Sequence, residues 1–176
     1  MSTPSAADAL IARTGELGLR IDEVESTFDV DVAADLRLLF DHMERFPDVA
    51  PSTAGAGRTV VLLHGKNFCG ATWEGVIAPL AAAGYRVIVP DQIGFCKSTK
   101  PAAYQMSFHQ LAANTRSLLE SLGVARPILV GHSMGGMLAA RYALSFPDDT
   151  SALVLVNPIG LEDWSAKGVP GRTIDA

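Results

Sequence analysis

The sequence lacks long apolar runs and has little cysteine, and each shortage excludes a class of protein. Nowhere do about 18 apolar residues follow one another, so no segment has the length of a membrane-spanning helix. The two cysteines, Cys69 and Cys96, are too few for a disulfide framework and lack metal-ligand spacing, and we expect neither a metal nor a cofactor. Met1–Arg13 lacks the charged start and apolar stretch of a signal peptide, which favours a cytoplasmic location.

Positive charge is also scarce. The 14 Lys and Arg residues against 19 Asp and Glu residues give a net charge of −5, whereas nucleic-acid binding requires a basic face. Hydrophobic residues make up 48% of the chain and charged residues 19%, which is typical of a soluble globular protein. The length of 176 residues suits one domain with a real core, and we expect no nucleic-acid partner.

Short apolar runs alternate with helical patterns from Thr59 onward. Four continuous apolar runs predict buried strands: Val60–Leu63, Val87–Val89, Ile128–Val130 and Leu153–Val156. Three helices are predicted between them: Trp73–Ala83, a helix that opens at Ser107 with a capping box to Gln110 and ends at Gly123, and Ser133–Phe146. This alternation predicts a mostly parallel sheet with helices on both faces and ligands at the carboxyl ends of its strands.

The N-terminal third is harder to interpret. Ala6–Leu17 fits a short helix, and Val24–Val32 alternates enough for a strand. Leu36–Phe46 fits either a helix or a strand, and Pro47–Gly57 has the composition of a linker.

A G-x-S-x-G sequence at Gly131–Gly135 lies between a predicted strand and a predicted helix. A nucleophilic serine on a sharp, strained turn needs small neighbours, because strand and helix approach closely there. Ser133 is therefore the predicted nucleophile, and Gly131, His132 and Gly135 complete the elbow. The backbone N–H of Met134 is placed to hold a developing oxyanion.

The loop after Val60–Leu63 supplies the second oxyanion donor. We predict the N–H of Lys66 in this role, with Asn67 next in line. His64 is expected to hold the loop by hydrogen bonds rather than to catalyse. Nucleotide-binding loops are excluded, because Ser133 stands where a dinucleotide fingerprint needs glycine and Asn67 where a Walker loop needs Ser or Thr.

Three motifs resemble those of the α/β-hydrolase superfamily, in its order and spacing: Val61–Gly65, Asp91–Ser98 and Gly131–Gly136. The resemblance is closest to the branch of esterases, lipase-like and haloperoxidase-like enzymes and carbon–carbon bond hydrolases. Members with an aspartate nucleophile, such as epoxide hydrolases, are disfavoured by Ser133. The resemblance implies a three-layer α/β fold and a serine hydrolase acting on an ester, amide or activated ketone of a small molecule.

The cysteines mark a departure from that family. Cys96 stands where the family usually has glycine, which strains the turn if the position needs a positive φ. Cys69 and Cys96 follow neighbouring strands in the family's order, so we expect them close together at the mouth of the site. Two free thiols are favoured over a disulfide in a reducing compartment.

No histidine follows Ser133. In this fold the acid and then the histidine of the triad come after the serine, but the four histidines all precede it: His42, His64, His109 and His132. Asn157, with Glu162 and Asp163 beyond it, lies near the family's alternative acid position, and we interpret the latter two as a solvated loop. The chain alone is therefore expected to show little activity.

The chain is interpreted as a hydrolase core truncated after its sixth strand. Residues 1–50 form an N-terminal segment of unassigned structure, 51–164 the partial core, and 165–176 a tail or the start of a lid. The alternative is a non-catalytic remnant of the fold or a binding module. Leu153–Val156 is expected to lack a partner on one side, which favours self-association through that uncharged, proline-free strand.

Overall fold

The computed structural model describes residues 21–24 and 57–161. The helix predicted at Ala6–Leu17, the ambiguous segment Leu36–Phe46 and the tail at 165–176 lie outside the described residues.

The described strands form one parallel sheet. Its order is β1-β5-β4-β2-β3. The strands run over these residues: β1 Ile21–Val24, β2 Thr59–Leu63, β3 Arg86–Ile88, β4 Ile128–His132 and β5 Ala152–Val156. The side chains of Val60–Leu63 are at most 1% exposed, as the continuous apolar run predicts for a strand covered on both faces.

Three α-helices lie among the described residues: α1 Glu74–Ala82, α2 Phe108–Ser121 and α3 Met134–Ser145. A short 3-10 turn, Gly70–Trp73, leads into α1. The Ser107 side chain caps α2 by accepting from the Gln110 N–H at 3.1 Å, but the Gln110 amide donates to Asn114 instead, so half of the capping box forms. Within the described ranges no helix is long and apolar enough to cross a bilayer.

The alternation of side chains along the strands divides the core between the two faces of the sheet. Val61 and Leu63 of β2 pack with α2 and α3 on one face, whereas Val60 and Leu62 pack with α1 on the other. The prediction of helices on both faces is therefore confirmed. The carboxyl ends of β2, β3 and β4 meet at one edge of this three-layer arrangement, where the three sequence motifs lie.

β5 is an interior strand, and the expectation that one of its sides lacks a partner is wrong. β1 pairs with it in parallel, in a register running from Ile21 opposite Leu153 to Val24 opposite Val156. Val24, where the sequence predicts a strand to begin, is the last residue of β1, and the rest of the predicted strand Val24–Val32 lies outside the described residues. Since both sides of Leu153–Val156 are paired, this strand offers no free edge for self-association.

Candidate active site

The backbone at Ser133 forms a sharp turn between β4 and α3. Its φ of 53° and ψ of −117° lie in a region that non-glycine residues rarely adopt, and such strain costs about 1–3 kcal/mol. The Ser133 N–H donates to the Val156 carbonyl at 3.0 Å. The Ser133 carbonyl accepts from Gly136 at 3.0 Å and from Ile159 at 3.2 Å, so β5 and the loop after it hold the strained turn in place.

Glycines permit the close approach of chain segments around this turn. A Cβ at Gly131 would overlap the Gly135 carbonyl, and a Cβ at Gly135 would overlap the carbonyl of Leu63 in β2. A Cβ at Gly136 would lie 2.8 Å from the Cβ of Pro158. The sequence-based reason for small residues at Gly131 and Gly135 therefore matches the packing that the structure shows.

The loop after β2 rests directly on the elbow. A Cβ at Gly65 would lie 3.3 Å from the Ser133 Cβ and 3.1 Å from the His132 Nδ1. The Phe68 N–H donates to the Gly65 carbonyl at 3.2 Å, which closes a turn through the exposed Lys66 and through Asn67 at φ 67°.

Two backbone N–H groups, those of Met134 and Lys66, are predicted to form the oxyanion hole. Met134 is the first residue of α3, where the N–H has no acceptor within the helix and the helix dipole is positive. Lys66 follows Gly65, the residue that packs on Ser133. Asn67, the weaker candidate, occupies the left-handed position of the turn.

His64 is fully buried and links two loops. Its Nε2 accepts from the Gln92 N–H at 3.0 Å, so its Nδ1 carries the proton and donates to the Gly65 carbonyl at 2.9 Å. The Phe95 ring meets the imidazole edge-on at a centroid distance of 5.3 Å. Both ring nitrogens are thus occupied in holding the loop, which leaves His64 no free nitrogen for a serine proton.

The other described histidines also contact groups other than Ser133. His132 is half-buried, burial lowers its pKa below 6.5, and its ring lies edge-on to Phe68 at 6.3 Å. His109 is exposed on α2, with its Nε2 3.1 Å from the Arg141 Nη1. His42 lies outside the described residues.

Asp91, which follows β3, braces the edge of the site. Its Oδ1 accepts from the Gly70 N–H at 2.7 Å, and its Oδ2 accepts from the Lys97 N–H at 3.0 Å. Its carbonyl accepts from the Ser98 hydroxyl at 2.6 Å. The hydrogen bond from Gly70 is the main reason that the pKa of this carboxyl lies below 3.8. Sequence reasoning noted Asp91 only as part of a motif and missed this role.

The two cysteines meet beside Asp91. Cys69 and Cys96 are free thiols, and their sulfur atoms and an Asp91 carboxylate oxygen all lie within 4.8 Å of one another. The expectation that they lie close is confirmed. Cys96 has a φ of 36°, so the backbone adopts the left-handed conformation that the family's usual glycine accommodates more readily.

Asn157, noted near the family's alternative acid position, follows β5 directly. It is exposed and has a φ of 43°. Glu162 and Asp163 lie outside the described residues.

Comparison with known proteins identifies the fold family of the chain. The family model described as alpha/beta hydrolase fold matches residues 58–170. The 2-hydroxy-6-oxo-6-phenylhexa-2,4-dienoate hydrolase of Burkholderia cepacia is 38% identical over 111 residues, which cover 61% of this chain and 39% of that protein.

Solved structures show the same likeness. A probable hydrolytic enzyme from Pseudomonas aeruginosa PAO1 is 69% identical, with a TM-score of 0.62 and coverage of 69% of this chain and 39% of that chain. A meta-cleavage product hydrolase from Pseudomonas fluorescens IP01 is 30% identical, with a TM-score of 0.55 and coverage of 60% and 40%. The chain thus spans well under half the length of these relatives. On the matched residues 58–170, it belongs to the family with the alpha/beta hydrolase fold.

Proposed function

We propose that the protein is a serine hydrolase in which Ser133 is the nucleophile. The observation that carries the proposal is the backbone of Ser133, held at φ 53° and ψ −117° on the positive end of α3. A fold retains such strain where the surrounding structure enforces it, and strained residues of this kind cluster at functional sites.

The proposed first step is attack by the Ser133 Oγ on a carbonyl carbon. The carbonyl oxygen becomes an oxyanion, which the N–H groups of Lys66 and Met134 stabilise. The serine proton passes to a general base. Since His64, His109 and His132 have other contacts, that base and its carboxylate partner come from outside the described residues.

The substrate class proposed is a small molecule with an activated ketone, ester or amide. The Burkholderia cepacia relative is named for a 6-oxo-dienoate, whose ketone is a carbonyl of the kind that Ser133 would attack. Two exposed apolar residues lie near the serine. Phe68 is 50% exposed and its ring meets that of His132, and Ile159 is 38% exposed and its N–H donates to the Ser133 carbonyl. We propose that these side chains contact an apolar substituent of the substrate.

The test of the nucleophile supplies a general base from solution. We incubate the full chain with p-nitrophenyl acetate and free imidazole and locate acetyl groups by peptide mass spectrometry. Acetylation of Ser133 should rise with imidazole concentration and disappear in Ser133→Ala. Ser121→Ala is the matched control, since Ser121 is an exposed serine at the end of α2. Acetylation of Ser133 no faster than that of Ser121 would contradict the proposal.

The oxyanion role of Lys66 has a sharper test. Lys66 is the second residue of the Gly65–Phe68 turn, where proline is common in β-turns. Lys66→Pro therefore removes the backbone N–H of residue 66 while keeping the turn. Loss of one oxyanion donor slows acylation about 10²–10³-fold. Lys66→Ala keeps the N–H and should acylate like the wild type. Equal rates for the two variants would exclude the Lys66 N–H as a donor.

A second candidate is a non-catalytic module with the same fold. The observation in its favour is that the three described histidines all have contacts other than Ser133. Loss of one triad member still leaves roughly 10³–10⁴-fold acceleration over water, through the oxyanion hole and binding. Imidazole-dependent acylation of Ser133 therefore supports the enzyme, and its absence in a folded chain supports the module.

A further inference from the structure

Three metal-ligating side chains converge at the carboxyl ends of β2 and β3. The sulfur atoms of Cys69 and Cys96 and a carboxylate oxygen of Asp91 all lie within 4.8 Å of one another. Cys69 and Asp91 are half-buried, whereas Cys96 is exposed to solvent. The group lies at the edge of the site, and none of its three residues has a role in the acylation proposed for Ser133.

One carboxylate positions both cysteines. The Oδ1 of Asp91 accepts from the N–H of Gly70, the residue directly after Cys69. The Oδ2 accepts from the N–H of Lys97, the residue directly after Cys96. Asp91 thereby holds the two loops together next to both thiols. Binding a ligand then costs less conformational entropy. Such prior ordering favours binding.

The three side chains provide a donor set for a cation. Thiolates and carboxylates are ligands that Zn²⁺ takes in proteins, and a bound divalent cation offsets their negative charges once the thiols lose their protons. The Lys100 ammonium lies beside the cluster, where its Nζ donates to the Cys96 carbonyl at 2.5 Å and to the Ser98 carbonyl at 3.2 Å.

We propose that Cys69, Asp91 and Cys96 form a binding site for a thiophilic divalent cation, with Zn²⁺ as its representative. Zinc bonds of about 2.3 Å to sulfur and about 2.0–2.2 Å to oxygen in a tetrahedron place the ligand atoms about 3.5–3.8 Å apart. Side-chain movements of about an ångström close the present separations to these values. The fourth position faces solvent beside the exposed Cys96 and takes a water molecule. Binding releases both thiol protons to solvent.

Cobalt provides the test, because Co²⁺ fills zinc sites and absorbs light. We titrate the full chain, kept reduced by a phosphine, with Co²⁺ and then with Zn²⁺. The expected result is a sulfur-to-cobalt charge-transfer band that Zn²⁺ abolishes, with two protons released per metal in weak buffer. Cys69→Ser and Cys96→Gly should each weaken the band and raise the apparent Kd for Zn²⁺ at least about tenfold. His109→Ala removes an exposed histidine elsewhere and should leave the titration unchanged.

The possible outcomes distinguish metal binding at this site from misfolding of the variants, from metal binding elsewhere and from a disulfide. Cys96→Gly suits a backbone at φ 36°, and circular dichroism establishes that each variant is folded. The proposal is overturned if the folded wild type shows no charge-transfer band, or if neither cysteine variant diminishes it. It is equally overturned if the thiols disappear into a disulfide under the same reducing conditions while no metal is bound.

Discussion

Adding one methyl group at Gly135 tests whether the elbow depends on close backbone contact. Gly135 is the second residue of α3 and lies against the end of β2. A Cβ at this position would lie 2.5 Å from the carbonyl carbon of Leu63 and 2.8 Å from the carbonyl oxygen of His64. Both are backbone atoms, and Leu63 pairs with Gly131 in the sheet, so neither can rotate away.

Two effects of opposite sign compete in Gly135→Ala. Ordinary contact begins at 3.4 Å, so α3 has to move away from His64 by 3.4 − 2.8 = 0.6 Å, and further from Leu63. Overpacking of this kind costs about 1–3 kcal/mol, with the upper end expected against backbone. Alanine is more favourable than glycine in a helix, by at most about 1 kcal/mol at a position in the first turn. The steric cost prevails, and the net loss of about 1–2 kcal/mol lowers the Tm by about 2–8 °C for a chain of this size.

Urea unfolding followed by circular dichroism measures this loss. Ala113→Gly in the middle of α2 makes the reverse exchange at a half-buried site, and isolates the helix-propensity contribution of about 1 kcal/mol. Ser133 acylation by p-nitrophenyl acetate should slow in Gly135→Ala, because moving α3 shifts the serine relative to Gly65. A Gly135→Ala protein as stable as the wild type, or more stable, would refute the reasoning.

Three further predictions concern pH and the sheet edge. Because the pKa of Asp91 is lowered in the fold, its carboxylate stabilises the fold above pH 3.8, and this contribution is lost as the pH falls through the folded pKa. The difference in urea midpoint between wild type and Asp91→Asn should therefore shrink below pH 3.8, and a constant difference contradicts the prediction. The half-buried His132 imidazole should titrate below pH 6.5 by NMR, so its contribution to folding stability falls as the pH drops below 6.5, and an unshifted titration excludes that burial effect. Replacing Asp22 and Glu23 together by proline removes N–H groups of β1 and exposes the edge of β5. Light scattering should then detect aggregation, and a variant that remains monomeric argues against the β1–β5 pairing.

Local patterns were sufficient to predict the central strands, the helices and the elbow. Each of these depends on residues near one another in sequence, such as the apolar run of β2 or the cap at Ser107. The pairing of β1 with β5 could not be predicted, because it joins the two ends of the described chain and nothing in Ile21–Val24 specifies its distant neighbour. Parallel pairing leaves no turn signal between partners.

The contact between the two cysteines also joins residues that are distant in the sequence, so local patterns could not predict a ligand cluster there. Spacing rules examine ligands along one segment, whereas Cys69 and Cys96 come from loops after different strands and meet through the carboxylate of Asp91. The departure from the family at Cys96 was the available signal, since a side chain retained at a left-handed position suggests a use for it.

The geometry proposed for the attack by Ser133 depends mainly on the backbone, and its supports lie within the described residues. The turn at Ser133 is held by β5 through the Val156 carbonyl, and the loop of Lys66 is held by the buried imidazole of His64. Neither support depends on a side chain beyond residue 161. Proton transfer, in contrast, requires a base such as an imidazole at hydrogen-bond distance from the serine oxygen. The backbone geometry at Ser133 cannot supply that base. We therefore expect the position of Ser133 to be independent of the base, so imidazole added from solution should permit acylation without any change in the structure around Ser133.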